Sequence, residues 1–215
     1  RVGHPNVVTR ETLGQSAEAV SQFHRLIEQP DGKKLEMKAG ARVAVAPLAR
    51  GAGVTVEATP RIRPEGVELH PAQREAVAGG VQDALSAGPA TGAPLQDVVV
   101  RVLDLDLFGA LSSPSALRIA VAEAARKALV RAGGLVMQPI MATEVVVPED
   151  DVGAVLGDLQ ARRAVIRSTE TVSGMSLIRC DCALDQLLGY ITALRGMTRG
   201  RGQFTMTFDR FDVAG

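Results

Sequence analysis

Tryptophan is absent from these 215 residues, aromatic residues amount to 3%, and there are two cysteines. With apolar residues at 46%, a core must be assembled from Val, Leu, Ile and Ala, which requires helices lying close against a sheet. Cys180 and Cys182 stand two apart on an expected strand, where side chains share a face and an intrachain disulfide is poorly placed. A reducing compartment is therefore expected. Nor is there an excess of charge of either sign. The 24 basic residues balance 24 acidic ones, which excludes bulk attraction to RNA or to an anionic membrane and leaves only regional patches. No window approaches the ~18 consecutive apolar residues of a spanning helix, so no membrane partner and a cytoplasmic location are expected. The opening "RVGHPNVVTRETL" has no initiator Met and no signal-peptide pattern, and reads as a cut through a longer chain. Also missing is G-x-x-x-x-G-K-[ST], so nucleotide hydrolysis by a P-loop is not expected within this segment. His4, His24 and His70 are far apart, with no carboxylate or cysteine at ligand spacing. Surface or packing roles are expected for them, and no metal site or catalytic triad.

What is present divides the chain in two, as its length suggests. "ARVAVAPL" at 41–48 and "VVVRVLDL" at 98–105 read as strands. Between them Ala76, Val77, Val81, Ala84 and Leu85 recur at helical spacing behind Pro71. In "SSPSALRIAVAEAARKALVRAGG" Ser113 is the expected N-cap, Pro114 the first helical residue and Gly133–Gly134 the stop. Leu117, Val121, Ala124, Ala125 and Ala128 form that helix's buried stripe. After "QPIM" the pattern resets to a strand at 142–147, a helix at 148–162 opened by Pro148, strands at 164–169 and 175–182, a helix at 184–198 and a strand at 202–210. This β-α-β-β-α-β order predicts a ferredoxin-like sandwich. In its last strand Phe204, Met206 and Phe208 should face one way, and Gln203, Thr205, Thr207 and Asp209 the other.

Few residues offer chemistry. Ile178, Cys180 and Cys182 share a strand face, and two thiols cannot close a structural zinc site, so buried packing is expected. Asp104 and Asp106 alternate at a strand end, where a solvated junction is expected in preference to a metal or acid–base role. Arg162 and Arg163 close one helix of the second domain and Arg195, Arg199 and Arg201 the other. Two readings stay open for them: complementing the helix macrodipole, or contacting phosphate in bidentate fashion where glycines let a backbone approach. Lys33, Lys34, Lys38 and Arg42 lead into a strand as either a solvated hairpin or an RNA-facing tip.

Several stretches taken together resemble a known family. "GDLQARR" at 157–163 and "LGYITALRGMTRGRGQFTMTF" at 188–208 are similar to the last domain of translation elongation factor G, which carries GDLxxRR and then GYxxxLRxxTxGRG running into a strand. "VGHPNVVTRETL", "PLARGAGVTVE" and "QPIMATEVVVPED" resemble further family segments, in the same order. The resemblance spans essentially the whole chain and marks a divergent paralogue. It implies an α+β protein of two domains. Residues 1–8 would end domain III, residues 9–141 would form domain IV with the fold of ribosomal protein S5 domain 2, and residues 142–215 would form the ferredoxin-like domain V.

The resemblance further implies a monomer that binds the ribosome, domain IV at the small-subunit decoding region and domain V at the GTPase-associated rRNA of the large subunit. GTP and Mg would be bound by a domain upstream, and no cofactor within this segment. Two family loops are altered: "DGKKLEMKAGARV" stands where GGRGQYGxV is usual, and "DLFGALSSPS" replaces HDVDSSE, keeping only Ser112 and Ser113. The implied RNA-facing set is Arg162, Arg163, Arg195, Arg199, Arg201, Lys33, Lys34, Lys38, Phe108, Ser112 and Ser113. The lysines would meet phosphate and Phe108 would stack on a base. The implied activity is GTP-dependent translocation, with ribosome recycling or protection as an alternative within the family. A small-molecule-binding regulatory module is the alternative from another class. An enzyme built on the first domain is a further one.

Overall fold

The computed structural model describes residues 7–213. His4 and most of the stretch expected to end a preceding domain lie outside them. The chain divides into two compact units, Arg10–Val136 and the part from Met137 onward, to which the described residues Val7–Thr9 also belong. Each is a mixed helix-and-sheet body, the α+β class that the sequence predicts.

The first unit runs β1 (Arg10–Leu13), β2 (Ala17–Glu28), β3 (Lys34–Pro47), β4 (Val54–Glu57), β5 (Arg61–Arg63), α1 (Pro71–Leu85), β6 (Val98–Leu107) and α2 (Pro114–Ala132). β2, β3 and β6 are antiparallel neighbours, and β4 and β5 lie one after the other along the outer edge of β6, parallel to it. Period-two alternation sends Ala19, Phe23, Ala39, Ala41, Val43, Val45, Val100 and Val102 to one face. There α1 and α2 close the core with the stripes read from the sequence: Val77, Val81, Ala84, Leu117, Val121, Ala124 and Ala128 are all buried. Ser113 accepts the Ala116 N–H at 3.2 Å as N-cap, and Gly133 ends α2 at φ 78°. Gly80 makes the helix crossing possible, because a Cβ there would stand 2.6 Å from the Arg118 carbonyl oxygen.

Glu11 anchors the far side of this unit. It has no exposed surface, yet its carboxylate accepts the backbone N–H groups of Ala90 and Thr91 and the Thr91 hydroxyl, each at 2.8 Å. Burial pushes the carboxyl upward, but the donors from Ala90, Thr91 and Ala93 overcome it and hold the group below the ordinary carboxylate value. Gly88 and Gly134 are required beside it, since a Cβ at either would collide with the Glu11 carboxylate.

The second unit contains β7 (Gly134–Pro148), whose first residues fall before the division, then α3 (Val152–Ala161), β8 (Val165–Val172), β9 (Met175–Ala183), α4 (Tyr190–Thr198) and β10 (Gln203–Asp212). The antiparallel order β10-β7-β9-β8 is that of the ferredoxin-like sandwich. Both predicted helices come out shorter. Pro148 closes β7, and a 3₁₀ turn at Glu149–Asp151 precedes α3. The stretch 184–198 is broken because Gly189 adopts φ 73°, which leaves a 3₁₀ turn at Leu184–Leu187 and starts α4 at Tyr190. Of the three apolar residues expected on one face of β10, Phe204 packs against the core, while Met206 and Phe208 remain exposed; the alternation then slips at a bulge between Phe208 and Arg210.

Tyr190 centres this core. It is fully buried, edge-on to Phe204 at 5.0 Å, with the Arg162 guanidinium 5.0 Å from its ring centre. Its hydroxyl has no hydrogen-bond partner among the described residues. Tyr190→Phe is therefore expected to raise the unfolding free energy by about 1 kcal/mol in urea titration, because a buried polar group without a partner is removed. A loss of stability would refute this.

Candidate nucleic-acid interface

In the first unit, β2 and β3 continue past the sheet as a two-stranded ribbon. β3 joins β6 only from Ala39 opposite Leu107, whereas its pairing with β2 runs on from His24–Lys38 to Glu28–Lys34. Gln29–Lys33 form the turn, closed by Gln29 N–H to the Lys33 carbonyl at 2.7 Å. Lys33 and Lys34 are exposed, and their ammonium groups have no ion pair among the described residues; His24, by contrast, is taken by Glu36 at 2.7 Å.

The loop after β6 meets the ribbon's base. Ser112 Oγ donates to the Lys38 carbonyl at 2.6 Å and accepts the Phe108 N–H at 2.8 Å, which fixes both residues. Lys38 Nζ then sits 4.3 Å from the centre of the Phe108 ring, which remains 36% exposed. Gln73, in the first turn of α1, donates to the Ser112 carbonyl at 2.9 Å, so both helices of the unit begin at this end. The structure thus gathers Lys33, Lys34, Lys38 and Phe108 at one end of the first unit. It removes Ser112 from the set that the sequence suggested: the residue is 2% exposed and its hydroxyl is engaged inside the loop. Ser113 likewise spends its oxygen on the α2 cap.

Asp104 and Asp106 are not at a solvated junction. They belong to a ladder of charges on the sheet face away from the helices. Arg42 donates to Glu18 at 2.6 Å and to Asp104 at 3.2 Å, and Arg63 lies 3.6 Å from Asp104 and 3.3 Å from Asp106. Asp104 is only 8% exposed. With each of these carboxylates facing a guanidinium, the ladder offers no open acidic site.

The second unit sorts its arginines in the same way. Three of them are matched by carboxylates: Arg179 pairs with Glu144 at 3.3 Å and Glu170 at 3.5 Å, Arg167 pairs with Asp181, and Arg210 reaches Asp181, Asp209 and Asp212. Arg162 donates to Asp158 at 2.9 Å and to the Gln186 carbonyl, so it is structural. Arg201 spans from the Thr198 carbonyl at 3.3 Å to Asp151 at 3.5 Å. Arg163 occupies the turn after α3 at φ 60°. Arg195 and Arg199 are exposed and have no hydrogen-bonding or ionic partner for their side chains among the described residues.

A cleft of about 360 Å³ is lined by Arg162, Arg163, Arg210, Asp181 and Asp185. Its Arg162 and Arg210 guanidinium groups are already engaged within the unit. Burial, followed by Cys182 and Asp181, pushes the Cys180 thiol up to about 11, and burial also raises Cys182. Neither is a thiolate at neutral pH, in keeping with packing. Among the described residues no group of three His, Cys, Asp or Glu is placed to hold a metal ion, and no helix is long and apolar enough to cross a membrane.

Comparison with known proteins accounts for the order of these two units. Residues 5–133 match the model of elongation factor G domain IV, and residues 135–215 match that of the elongation factor G C-terminus. Elongation factor G 2 of Syntrophus aciditrophicus is 34% identical over 211 residues, covering 98% of this chain and 30% of its own length. Elongation factor G 1 of Geobacter sulfurreducens is 34% identical over 217 residues, with coverages of 100% and 30%. A crystal structure from Thermus thermophilus superposes with a TM-score of 0.77 at 27% identity, over 97% of this chain and 30% of that one. The chain therefore spans about a third of the length of these relatives, and it belongs to the elongation factor G family.

Proposed function

We propose that these residues are the ribosome-binding arm of an elongation factor G-like GTPase that promotes movement of tRNA and mRNA. The first unit is domain IV, directed at the small-subunit decoding region. The second is domain V, directed at the GTPase-associated rRNA of the large subunit. The observation that carries this reading is the ribbon end of the first unit: three lysines and an exposed aromatic ring are gathered there, while the charges of the adjoining sheet face are paired internally. Phosphate contact and base stacking require those two side-chain types. Arg195 and Arg199 provide the corresponding cations of the second unit. No residue here performs covalent chemistry in this reading. GTP and Mg²⁺ are assigned to sequence outside these residues, and the arm biases ribosome movement by binding one state better than another.

The test is a toeprint of mRNA position on pre-translocation ribosomes with the full-length protein and GTP. A shift of one codon is expected. Ribosome-stimulated GTP hydrolysis without a shift would transfer the assignment to ribosome recycling or protection. Absence of both activities would overturn the ribosomal reading and return the assignment to a regulatory module. A small-molecule regulatory role has weaker support, since the Arg162 and Arg210 guanidinium groups of the cleft in the second unit are already satisfied within the unit.

A further inference from the structure

The turn of the β2–β3 ribbon brings together two groups that can react with each other. Asp31 is the one aspartate followed by glycine, and the single asparagine, Asn6, precedes valine. Every residue from Glu28 to Glu36 is exposed. Asp31 Oδ1 accepts the Lys33 N–H at 3.0 Å, which folds the carboxyl group back over the Asp31–Gly32 peptide. Gly32 stands at φ 80°, and a Cβ there would meet nothing within 4 Å. No side chain therefore shields the Gly32 nitrogen from the carboxyl carbon beside it. Elsewhere both conditions fail: Asp104 and Asp181 are held by guanidinium groups and are followed by Leu105 and Cys182.

Holding a weak nucleophile against its electrophile supplies a high effective concentration. We propose that Asp31–Gly32 is a site of spontaneous isoaspartate formation. The Gly32 nitrogen bonds to Asp31 Cγ and gives up its proton, and one carboxyl oxygen leaves as water, closing a five-membered imide. Water then opens the ring. Attack at Cγ restores aspartate, whereas attack at the Asp31 backbone carbonyl carbon leaves the chain running through Cβ and Cγ with a free α-carboxylate. Nothing is oxidised or reduced, and the mass is unchanged. The Gly32 N–H, which donates to the Gln29 carbonyl at 2.9 Å, is freed by local fraying of the exposed tip. The product carries one more main-chain carbon inside the turn that Gln29 N–H and the Lys33 carbonyl close at 2.7 Å, so Lys33 and Lys34 shift relative to the ribbon. The inference is independent of the ribosomal reading.

The experiment holds the chain, Asp31→Glu and Asp31→Asn at neutral pH below their melting temperatures for several weeks. Isoaspartate is read by methyl transfer from S-adenosylmethionine with purified isoaspartyl methyltransferase, and is located by electron-transfer fragmentation of the tryptic peptide 26–33. Wild type is expected to gain label steadily at position 31. Asp31→Glu should lose that label, because closure would need a six-membered ring. Asp31→Asn should gain it faster, because a neutral amide accepts a nucleophile more readily than an ionised carboxylate. Absence of label in the wild-type chain overturns the inference, and label in the isolated peptide alone would show that the folded turn protects the site. Label that persists in Asp31→Glu, or that lies only at other aspartates, overturns it as well.

Discussion

Glu11→Gln is expected to destabilise the first unit by about 3 kcal/mol, or about 10 °C in melting temperature, at pH 7. The carboxylate sits without solvent exposure among two backbone N–H groups and a hydroxyl. An amide of the same shape turns an NH₂ toward donors that then lose their acceptor. The pH dependence follows from the depressed carboxyl. Its stabilising contribution is fully present above the unfolded-state value near 4.5 and is lost as pH falls through the lower folded-state value. Wild type should therefore lose stability on acidification below that point, and the gap to Glu11→Gln should narrow. Calorimetry between pH 3 and pH 7 measures both, and equal melting temperatures at pH 7 would show that the carboxylate does not hold the loop.

Replacing Lys33, Lys34 and Lys38 by glutamine should weaken ribosome binding by about two to three orders of magnitude at 0.1 M salt, since each lost phosphate contact costs roughly eightfold there, and should flatten the salt slope by about two to three. Fold stability should change little. Lys33 and Lys34 have no ion pair to lose among the described residues, and Lys38 gives up only its approach to an exposed ring, worth about 0.5–1 kcal/mol. Filter binding over a salt series, paired with circular dichroism, reads both quantities. A parallel drop in affinity with an unchanged slope would mean that the lysines do not meet phosphate.

The two long helices of the first unit were legible because their signals are local: for α2, a Ser113 cap, a Gly133 stop, and an apolar stripe between them. The ribbon was not. From His24 to Glu28 and from Lys33 to Glu36 both faces are exposed, so no period-two pattern survives, and the apolar strand signal begins at Ala41 although β3 starts at Lys34. Asp31–Gly32 in the turn was the available hairpin signal. The break at Gly189 looks in sequence like any tolerated helical glycine, and only its positive φ reveals the helix start. Candidate site residues could be ranked by charge but not by partner. Arg42 and Asp104 are 62 residues apart, and Arg162 meets Gln186 24 residues on, pairings that only the fold creates. Glu11 carried no signal, because its donors come from a loop some 80 residues away.

The guanidinium–carboxylate ladders on the two helix-free sheet faces bear on encounter kinetics. On the ribosomal reading proposed above, a protein that works among exposed RNA phosphates must avoid adhering wherever it meets them. Faces whose arginines are already matched release few counterions against a polyanion and hold it weakly, while the unmatched cations at the ribbon and at the end of α4 retain full attraction. Each unit can thus brush against RNA along its matched sheet face and leave quickly, and it lingers when it arrives by its cationic end.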